Sequence, residues 1–433
     1  MKIGIIGSGF TGLTAGLRLS EKGHEVVIFE RGIRPGGLAS GFKLNKWKWH
    51  LESHYHHLFT NDKCALTLAK EVGAKIVISR PKTSTFIKNT IYQLDSPFSL
   101  LAFPHLSFID RMRTGLTLLY LKITPFWKPL EKITSKTFIK VSSGDSSWNT
   151  LWHPLFKGKF GKYSNSIAAS WFWARIKKRT LSLGYPEGGF ATFAQKIADK
   201  IDAKKGKVLF NTQVELVEAG KDTIKIKTHD KKDYFFDKVI CTLPFNLFSK
   251  ITKGLPQTYK KRVNKLAGIG AINLILLSKN RFLKDKTYWL NICDRGFPFI
   301  SVVEHSNFIN KSYYDNQHIL YLGNYLPTNH RYFKLNEKEL FSIYLPFLKK
   351  LNKNFQASWV KAMWLSKAGF AQPIITKNYS RKIPAFETPI KNLYIANIQQ
   401  VYPWDRGTNY AIEMGENLAR AYRLKAVYPN YLK

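Results

Sequence analysis

MKIGIIGSGFTGLTAGLRLSEKGHEVVIFE, residues 1–30, begins with a short apolar segment that predicts a β-strand over residues 2–6. A glycine-rich turn follows and leads into an amphipathic helix that ends near Gly23. A second apolar segment, residues 25–29, then predicts another strand. Strand, glycine turn, helix and strand in this order form a β-α-β unit, which predicts an α/β fold with a parallel sheet.

The glycine turn predicts a dinucleotide site. Gly7 allows the tight turn, Gly9 lets the backbone approach a pyrophosphate, and Gly12 lets the helix pack closely on the strand. The first helical turn offers free N–H groups and a positive dipole end to phosphates. The predicted cofactor contacts here are Gly7, Gly9, Phe10, Thr11 and Gly12.

Glu30 follows the second strand, eighteen residues after Gly12. Its carboxylate would accept hydrogen bonds from a ribose hydroxyl pair and would repel a 2′-phosphate, so NADP is disfavoured.

The next residues bear a family resemblance. ERGIRPGGLAS, residues 30–40, resembles the second signature of the FAD-dependent amine oxidase superfamily, which includes protoporphyrinogen oxidases, phytoene desaturases and UDP-galactopyranose mutases. In that family, the acid and the Gly-Gly pair wrap the pyrophosphate and ribityl chain of FAD. The resemblance implies FAD as cofactor, with contacts from Glu30, Arg31, Gly36, Gly37, Leu38 and Ala39.

Later stretches resemble the same family. Residues 184–201 resemble its glycine turn and helix, and residues 207–217 resemble a strand whose backbone, at Val214, contacts adenine. Residues 237–244 resemble the strand that ends beside the flavin. Residues 392–421 resemble the closing strand and helix, which implies that the isoalloxazine is covered by Arg406, Gly407, Thr408, Asn409 and Tyr410.

One position departs from the family pattern. Ala396-Asn397 stands where members commonly have Gly-Asp or Gly-Glu. Since an amide also forms hydrogen bonds, Asn397 stays a predicted FAD contact.

The spacing of these stretches implies two interleaved lobes. A Rossmann-like, GR2-type FAD-binding domain is predicted over residues 1–80, 185–250 and 385–433. An α+β substrate-binding domain is predicted over residues 81–184 and 251–384. The longest apolar stretch without charge, residues 266–278, is too short to cross a bilayer and predicts a buried strand.

The 433-residue chain carries 68 Lys and Arg against 29 Asp and Glu, a net charge of +39, which favours an anionic partner. Its 44% apolar content excludes a disordered polybasic protein. No helix-turn-helix, RNP or zinc pattern supports nucleic-acid binding.

The basic residues are densest in two blocks. Residues 111–140 contain seven basic residues and one acid, and residues 157–179 contain seven basic residues and no acid. Residues 96–140 predict helices with an apolar stripe, which either packs on the core or contacts an anionic membrane surface. The stripe consists of Ile109, Met112, Leu116, Leu119 and Ile123.

Two observations bear on location. The three cysteines are far apart in the sequence, which fits a reducing cytoplasm. The N-terminus lacks a secretory signal pattern. We therefore expect a cytoplasmic protein, with a peripheral position on the inner face of the membrane as an option.

Residues 49–59, WHLESHYHHLF, hold four histidines, but no distant ligand set accompanies them, so no metal is expected. By resemblance, this segment lies along the flavin ring, where UDP-galactopyranose mutases also carry a His-rich segment. His54, His56 and Arg406 are therefore the candidate catalytic residues.

The resemblance implies an FAD-dependent oxidoreductase of the oxidase or desaturase type, which transfers hydride from an apolar or amphipathic small molecule, anionic as one option, to flavin N5. A redox-neutral sugar mutase resembling UDP-galactopyranose mutase is the first alternative, with Arg381 and Arg406 as the candidate substrate arginines. The second alternative is a non-catalytic, flavin-bearing scaffold at a membrane.

Overall fold

The computed structural model describes residues 1–421. Residues 422–433, the end of the predicted third segment of the FAD-binding domain, lie outside the described residues.

The helices are, in chain order, α1 (Phe10–Glu21), α2 (Lys63–Glu71), α3 (Pro97–Leu101), α4 (Phe108–Ile123), α5 (Ser135–Ser143), α6 (Asp145–Ser147), α7 (His153–Phe160), α8 (Ala169–Lys178), α9 (Phe190–Asp202), α10 (Phe245–Ile251), α11 (Gln257–Asn264), α12 (Glu337–Leu351) and α13 (Thr408–Ala421).

The strands are β1 (Lys2–Ile6), β2 (Glu25–Phe29), β3 (Gly41–Phe42), β4 (Leu51–Glu52), β5 (Leu58–Phe59), β6 (Ile76–Ser79), β7 (Lys82–Ile87), β8 (Thr90–Gln93), β9 (Leu183–Pro186), β10 (Gly206–Leu209), β11 (Val214–Ala219), β12 (Ile224–Thr228), β13 (Asp233–Phe236), β14 (Lys238–Cys241), β15 (Gly268–Ser278), β16 (Thr287–Ile292), β17 (Ser301–Glu304), β18 (His318–Leu326), β19 (Val360–Pro373) and β20 (Leu393–Ile395).

A five-stranded parallel sheet has the order β10-β2-β1-β14-β20. Ile3 in β1 lies between Val26 of β2 and Lys238 of β14. The strands and the helix predicted for the first thirty residues are confirmed as β1, α1 and β2. The parallel sheet is thus assembled from segments near both ends and the middle of the chain, which brings distant sequences to one edge.

A second, seven-stranded sheet has the order β19-β15-β18-β17-β16-β7-β8. Its strand β15 is buried along nearly its whole length and pairs with β18 and β19, so the strand predicted from residues 266–278 is confirmed. The strands of this sheet come from residues 82–93 and 268–373. The boundaries of the two predicted domains stay a prediction.

One core cluster joins the two sheets. It contains Ile3 and Ile28 of the parallel sheet together with Ile275 and Tyr321 of the seven-stranded sheet. All four side chains are buried. One face of each sheet therefore buries its apolar side chains in a core that it shares with the other sheet.

Residues 207–217 differ from the single strand that the resemblance implied. The chain forms β10, turns at Asn211 with a φ of 52°, and starts β11 in a separate antiparallel sheet, β11-β12-β13. Asn tolerates this left-handed conformation better than most residues, so the local sequence fixes the break.

The apolar stripe of α4 lies on the protein surface. Its five side chains are between 41% and 69% exposed. The side chains that α4 buries are Thr114, Thr117 and Leu121. The interpretation that the stripe packs on the core is therefore wrong, because two threonines and one leucine face the interior instead.

Candidate active site

A cavity of about 1330 Å³ opens at the carboxyl ends of the parallel strands and is bounded on its other side by the seven-stranded sheet. Gly7 follows β1, Glu30 follows β2 and Thr242 follows β14, and all three line it. Loops at the carboxyl ends of parallel strands are the usual place for a ligand in an α/β sheet.

Two glycine turns leave bare backbone at the floor of the cavity. A Cβ at Gly37, where φ is +59°, would lie 3.1 Å from the Gly9 Cα. A Cβ at Gly7, where φ is +101°, would lie 2.5 Å from Thr242 Oγ1. The turns after β1 and β2 therefore contact each other through backbone atoms and form a cradle that side chains would fill.

Glu30 is fixed by its neighbours. Its Oε2 accepts hydrogen bonds from the backbone N–H of Ser8 at 3.0 Å and from the Ser8 hydroxyl at 2.8 Å, and its Oε1 accepts from the Gly32 N–H at 2.8 Å. A carboxylate has about four lone-pair sites, so Oε1 retains capacity for one more donor. A ribose hydroxyl is such a donor.

Gly12 has a different role from the other glycines of its turn. It does not line the cavity. A Cβ at this position would lie 2.0 Å from the Gly7 carbonyl oxygen, so Gly12 serves the close packing of α1 on the turn. The other residues predicted to contact FAD or to be catalytic all line the cavity, including Val214 at the start of β11.

Asn397 lines the cavity, but its side chain is used within the protein. Its Oδ1 accepts a hydrogen bond from the Gln399 N–H at 2.9 Å, and its Nδ2 donates to the Leu243 carbonyl at 3.1 Å. Asn397 therefore caps a short helical turn and leaves little side-chain capacity for a cofactor.

Arg406 is held just before the N-terminus of α13. Its Nε donates to Gln372 Oε1 at 2.9 Å, and its Nη2 donates to the Tyr325 hydroxyl. The guanidinium carbon lies 5.5 Å from the centre of the Tyr325 ring. A fixed cation beside the positive end of a helix places positive charge at one wall of the cavity.

A buried charge cluster surrounds Asp405, which the sequence did not single out. Arg175 Nη1 lies 3.2 Å and Lys159 Nζ 3.9 Å from Asp405 Oδ2, and Trp171 Nε1 donates to Oδ1 at 2.9 Å. Burial acts to raise the pKa of Asp405, but Lys159, Arg175 and Arg406 outweigh it and hold the pKa at about 2. Burial lowers the pKa of Lys159 well below its usual range.

The histidine segment lines the same cavity. Asn273 Nδ2 donates to His54 Nδ1 at 2.6 Å, and His56 Nδ1 donates to the His54 carbonyl at 2.5 Å. Burial lowers the pKa of His54 to about 3 and that of His56 to about 4, so both rings are neutral at pH 7. His56 Nε2 then carries a lone pair that can accept a proton.

A group of cations in the cavity wall, which we call the cationic arm, was not predicted from the sequence. It consists of Arg80, Lys159, Arg175 and Arg179. Burial and the nearby charge of Arg175 lower the pKa of Arg179 to about 10. In the described chain, no carboxylate lies within salt-bridge distance of Arg179. The dense basic block of residues 157–179 was the sequence signal, but it did not show which cations turn inward.

Aromatic rings accompany these cations. They belong to Trp152, Phe156, Trp171, Phe172, Tyr288 and Trp289.

Arg381, one of the two arginines considered for a mutase, does not line the cavity. Within residues 1–421, no group of three or more His, Cys, Asp or Glu side chains is arranged to hold a metal ion.

The cradle fits the pyrophosphate of a dinucleotide. Bare backbone at Gly7, Gly9 and Gly37, the N-terminus of α1 and the free capacity of Glu30 supply the donors and the acceptor such a cofactor needs. The buried Tyr410 hydroxyl, also in the cavity wall, has no hydrogen-bond partner among residues 1–421. Residues 10–421 match the family of flavin containing amine oxidoreductases.

The chain belongs to this family. The resemblance read from the sequence, the α/β fold class and FAD as the cofactor are thereby confirmed. The assignment to flavin oxidoreductases is confirmed at the level of the family.

Two curated relatives are similar to parts of the chain. Coproporphyrinogen III oxidase of Staphylococcus aureus is 23% identical over 295 residues, which cover 57% of this chain and 61% of that protein. Zeta-carotene desaturase of Arabidopsis thaliana is 34% identical over 101 residues, 23% of this chain and 18% of that protein. The chain spans about three fifths of the length of the curated relatives that match more than half of it.

The fold is shared more widely than the sequence. A solved structure of reduced UDP-galactopyranose mutase matches with a TM-score of 0.77 and 17% identity, covering 100% of this chain and 97% of that chain. At this identity the likeness shows the fold alone. Within residues 1–421, no helix has both the length and the apolar character needed to cross a bilayer.

Proposed function

We propose that this family member is an FAD-dependent oxidoreductase of the oxidase or desaturase type, acting on an amphipathic molecule with an apolar body and an anionic end. One observation carries the proposal. The cavity that holds the glycine cradle is also lined by cations and aromatic rings, and both Lys159 and Arg175 lie over the ring of Trp171. Apolar rings suit a large apolar body, and Arg175 and Arg179 suit a carboxylate or phosphate.

FAD, when bound, supplies the hydride acceptor at N5. The side chains of this chain supply position and charge. Arg179 and Arg175 would hold the anionic end, and the ring of Trp289 would pack on the body of the substrate. Because His56 Nδ1 carries the ring proton, the Nε2 atom has a free lone pair. This lone pair can accept the proton that leaves the substrate as the hydride departs. Arg406 provides a fixed positive charge that would stabilise the negative charge of the reduced flavin.

A sugar mutase is the second candidate. It is favoured by the shared fold with UDP-galactopyranose mutase and by an arginine pair, Arg175 and Arg179, that suits a diphosphate. This pair differs from Arg381 and Arg406, which the sequence suggested.

Anaerobic titration separates the candidates. We expect an amphipathic carboxylate to bleach the oxidised flavin absorbance of the purified holoprotein. The first compound to test is coproporphyrinogen III, which appears in the name of the S. aureus relative. A mutase would leave the oxidised spectrum unchanged and would convert UDP-galactopyranose only after chemical reduction. A broad panel of substrates that produces neither result would support the non-catalytic scaffold and overturn the proposal.

The anionic end is tested by substitution. Arg179→Gln should raise the dissociation constant of the bleaching substrate by roughly 10- to 100-fold, because a hydrogen bond to a charged group is lost. Arg381→Gln, at a residue that does not line the cavity, is the matched control and should leave this dissociation constant unchanged. Equal affinity in both variants would contradict the role given to Arg179.

A further inference from the structure

The surface of α3, α4 and the following turn is apolar where most protein surfaces are polar. Phe98 is 83% exposed and Phe126 is 70% exposed, and they flank the exposed stripe of α4. Together these residues form what we call the apolar face: Phe98, Leu101, Phe108, Ile109, Met112, Leu116, Leu119, Tyr120, Ile123 and Phe126. Contiguous exposed apolar surface of this kind marks an interaction site.

The polarity of α4 is the reverse of that of an ordinary surface helix. On its inner side, Thr114 is buried and donates its hydroxyl hydrogen to Ser147 Oγ at 2.9 Å. Thr117 is also buried and donates to the Arg113 carbonyl at 2.8 Å. A helix that satisfies its polar groups inward and directs its apolar stripe outward is suited to an apolar environment on its outer side.

Cations border the apolar face. They are Arg111, Arg113, Lys122, Lys128 and Lys132. In the part of the chain that the structure describes, none of the five forms a salt bridge with a carboxylate. Three acids lie nearby: Asp110 on α4 accepts a hydrogen bond from the Ser107 hydroxyl, Glu131 is buried against Ser380 and Tyr402, and Asp145 pairs with Lys140. The border of the apolar face is therefore positive.

The apolar face adjoins one wall of the cavity. At the C-terminal end of α4, Lys122 Nζ donates to the Arg179 carbonyl at 2.6 Å, and in return Lys177 Nζ donates to the Ile123 carbonyl at 2.8 Å. Arg179 belongs to the cationic arm, and Leu181, an exposed apolar residue two positions later, also lines the cavity. A ligand at the end of the apolar face is thus close to the arm.

We propose that the apolar face docks on the surface of an anionic lipid bilayer. The apolar side chains would enter the boundary between headgroups and acyl chains, and the bordering cations would contact anionic headgroups. Docking would place the cationic arm beside the lipid, from which an amphipathic molecule can enter. This last step rests on the proposed function, whereas docking itself does not.

Vesicle binding tests the proposal. The FAD-loaded protein should co-sediment with vesicles of phosphatidylglycerol and phosphatidylcholine in equal parts. Binding should weaken roughly tenfold or more on phosphatidylcholine alone, and in the Lys128→Ala/Lys132→Ala variant on anionic vesicles. Binding should also fall as salt is raised. Absence of binding to the anionic vesicles, or binding that ignores lipid charge, would overturn the proposal.

A double variant tests the apolar contribution. Leu116→Glu/Leu119→Glu should lose vesicle binding while retaining its flavin content and unfolding temperature, because both side chains are exposed. Phe235→Glu, at an exposed apolar residue on β13, is the control and should bind as the wild type does.

The alternative occupant is a second copy of the chain. Light scattering of the wild type and the Leu116→Glu/Leu119→Glu variant distinguishes it. A dimer that the double variant converts to a monomer, without vesicle binding by the wild type, would assign the face to self-association and overturn the lipid proposal. A failed flavin titration would leave the vesicle result unaffected, so the two proposals fail separately.

Discussion

At Gly9 the backbone is bare where the chain would approach the pyrophosphate of FAD. A Cβ at this position would meet only the Gly37 Cα, at 3.9 Å, which is an ordinary contact. The fold therefore has room for a side chain here, and the space such a side chain would take belongs to the cofactor.

We predict that Gly9→Val purifies as a folded but colourless protein. Gly115→Val is the matched control, because a Cβ at Gly115 would also meet a single atom at 3.9 Å, and this helical residue lies outside the cavity. Flavin absorbance relative to protein absorbance measures the effect. Stoichiometric flavin in Gly9→Val would refute the cradle assignment.

Arg406 should set the redox potential of the bound cofactor. Removing its charge in Arg406→Gln should leave the yellow colour and lower the midpoint potential by on the order of 30 mV or more, because reduced FAD is anionic. Dye-linked reduction of the holoprotein measures the potential. Arg381→Gln should keep the wild-type value, and an unchanged potential in Arg406→Gln would remove that residue from the site.

Single residues differ in how far the sequence reveals them. The positions of Gly7, Gly9 and Glu30 in the cavity wall were predictable, because the β-α-β pattern that places them lies within thirty residues. Asp405 was not, although it adjoins the predicted Arg406. Its partners Lys159 and Arg175 are more than two hundred positions away, and only the folded chain brings them within salt-bridge distance.

At the scale of elements, the first residue of α9 is hydrogen-bonded to a buried carboxyl group on β4. Glu52 in β4 accepts the Phe190 N–H at 2.8 Å and the Tyr185 hydroxyl at 2.7 Å. Burial raises the pKa of Glu52 to about 7. The folded protein therefore binds the proton of this carboxyl more tightly than the unfolded chain does.

This shift predicts a pH dependence. The stabilisation from protonated Glu52 is fully present below its ordinary pKa of 4.5 and is lost as pH rises through about 7. Glu52→Gln, which mimics the neutral carboxyl, should gain about 3 kcal/mol of unfolding free energy relative to wild type across this window. Urea unfolding with saturating FAD at both ends of the window measures it.

Two outcomes bear on that prediction. Glu304→Gln should show a dependence of the same sign, because burial also raises the pKa of Glu304 to about 7. Parallel stability curves for wild type and Glu52→Gln would contradict the ionisation assigned to this carboxyl.

The helix α4 shows the limit of prediction for elements. Its periodicity correctly predicted a helix with one apolar stripe. Periodicity does not tell what covers the stripe, and the buried Thr114 and Thr117 became recognisable as the inner side only through their contacts with the rest of the fold. The break at Asn211 was missed for a similar reason, since β10 and β11 both read as apolar strand.

For the whole molecule, the shared core cluster predicts one unfolding event. Ile3 and Tyr321 pack in the same cluster although they belong to different sheets. Thermal unfolding should therefore show a single transition by tryptophan fluorescence, coincident with flavin release, and added FAD should raise its midpoint. Two resolved transitions, one without flavin release, would show that the lobes unfold independently.

The parallel sheet also has a consequence for biosynthesis. β2 ends at Phe29, but β20, the last strand of the same sheet, begins at Leu393. At usual translation speeds, roughly 20 to 70 s separate the emergence of these strands from the ribosome. The free edge of β14 and the face of α1 that packs on α13 stay uncovered until almost the entire chain has been made. Because Arg406 and Tyr410 line the cavity, its wall is completed only when these last residues have been made.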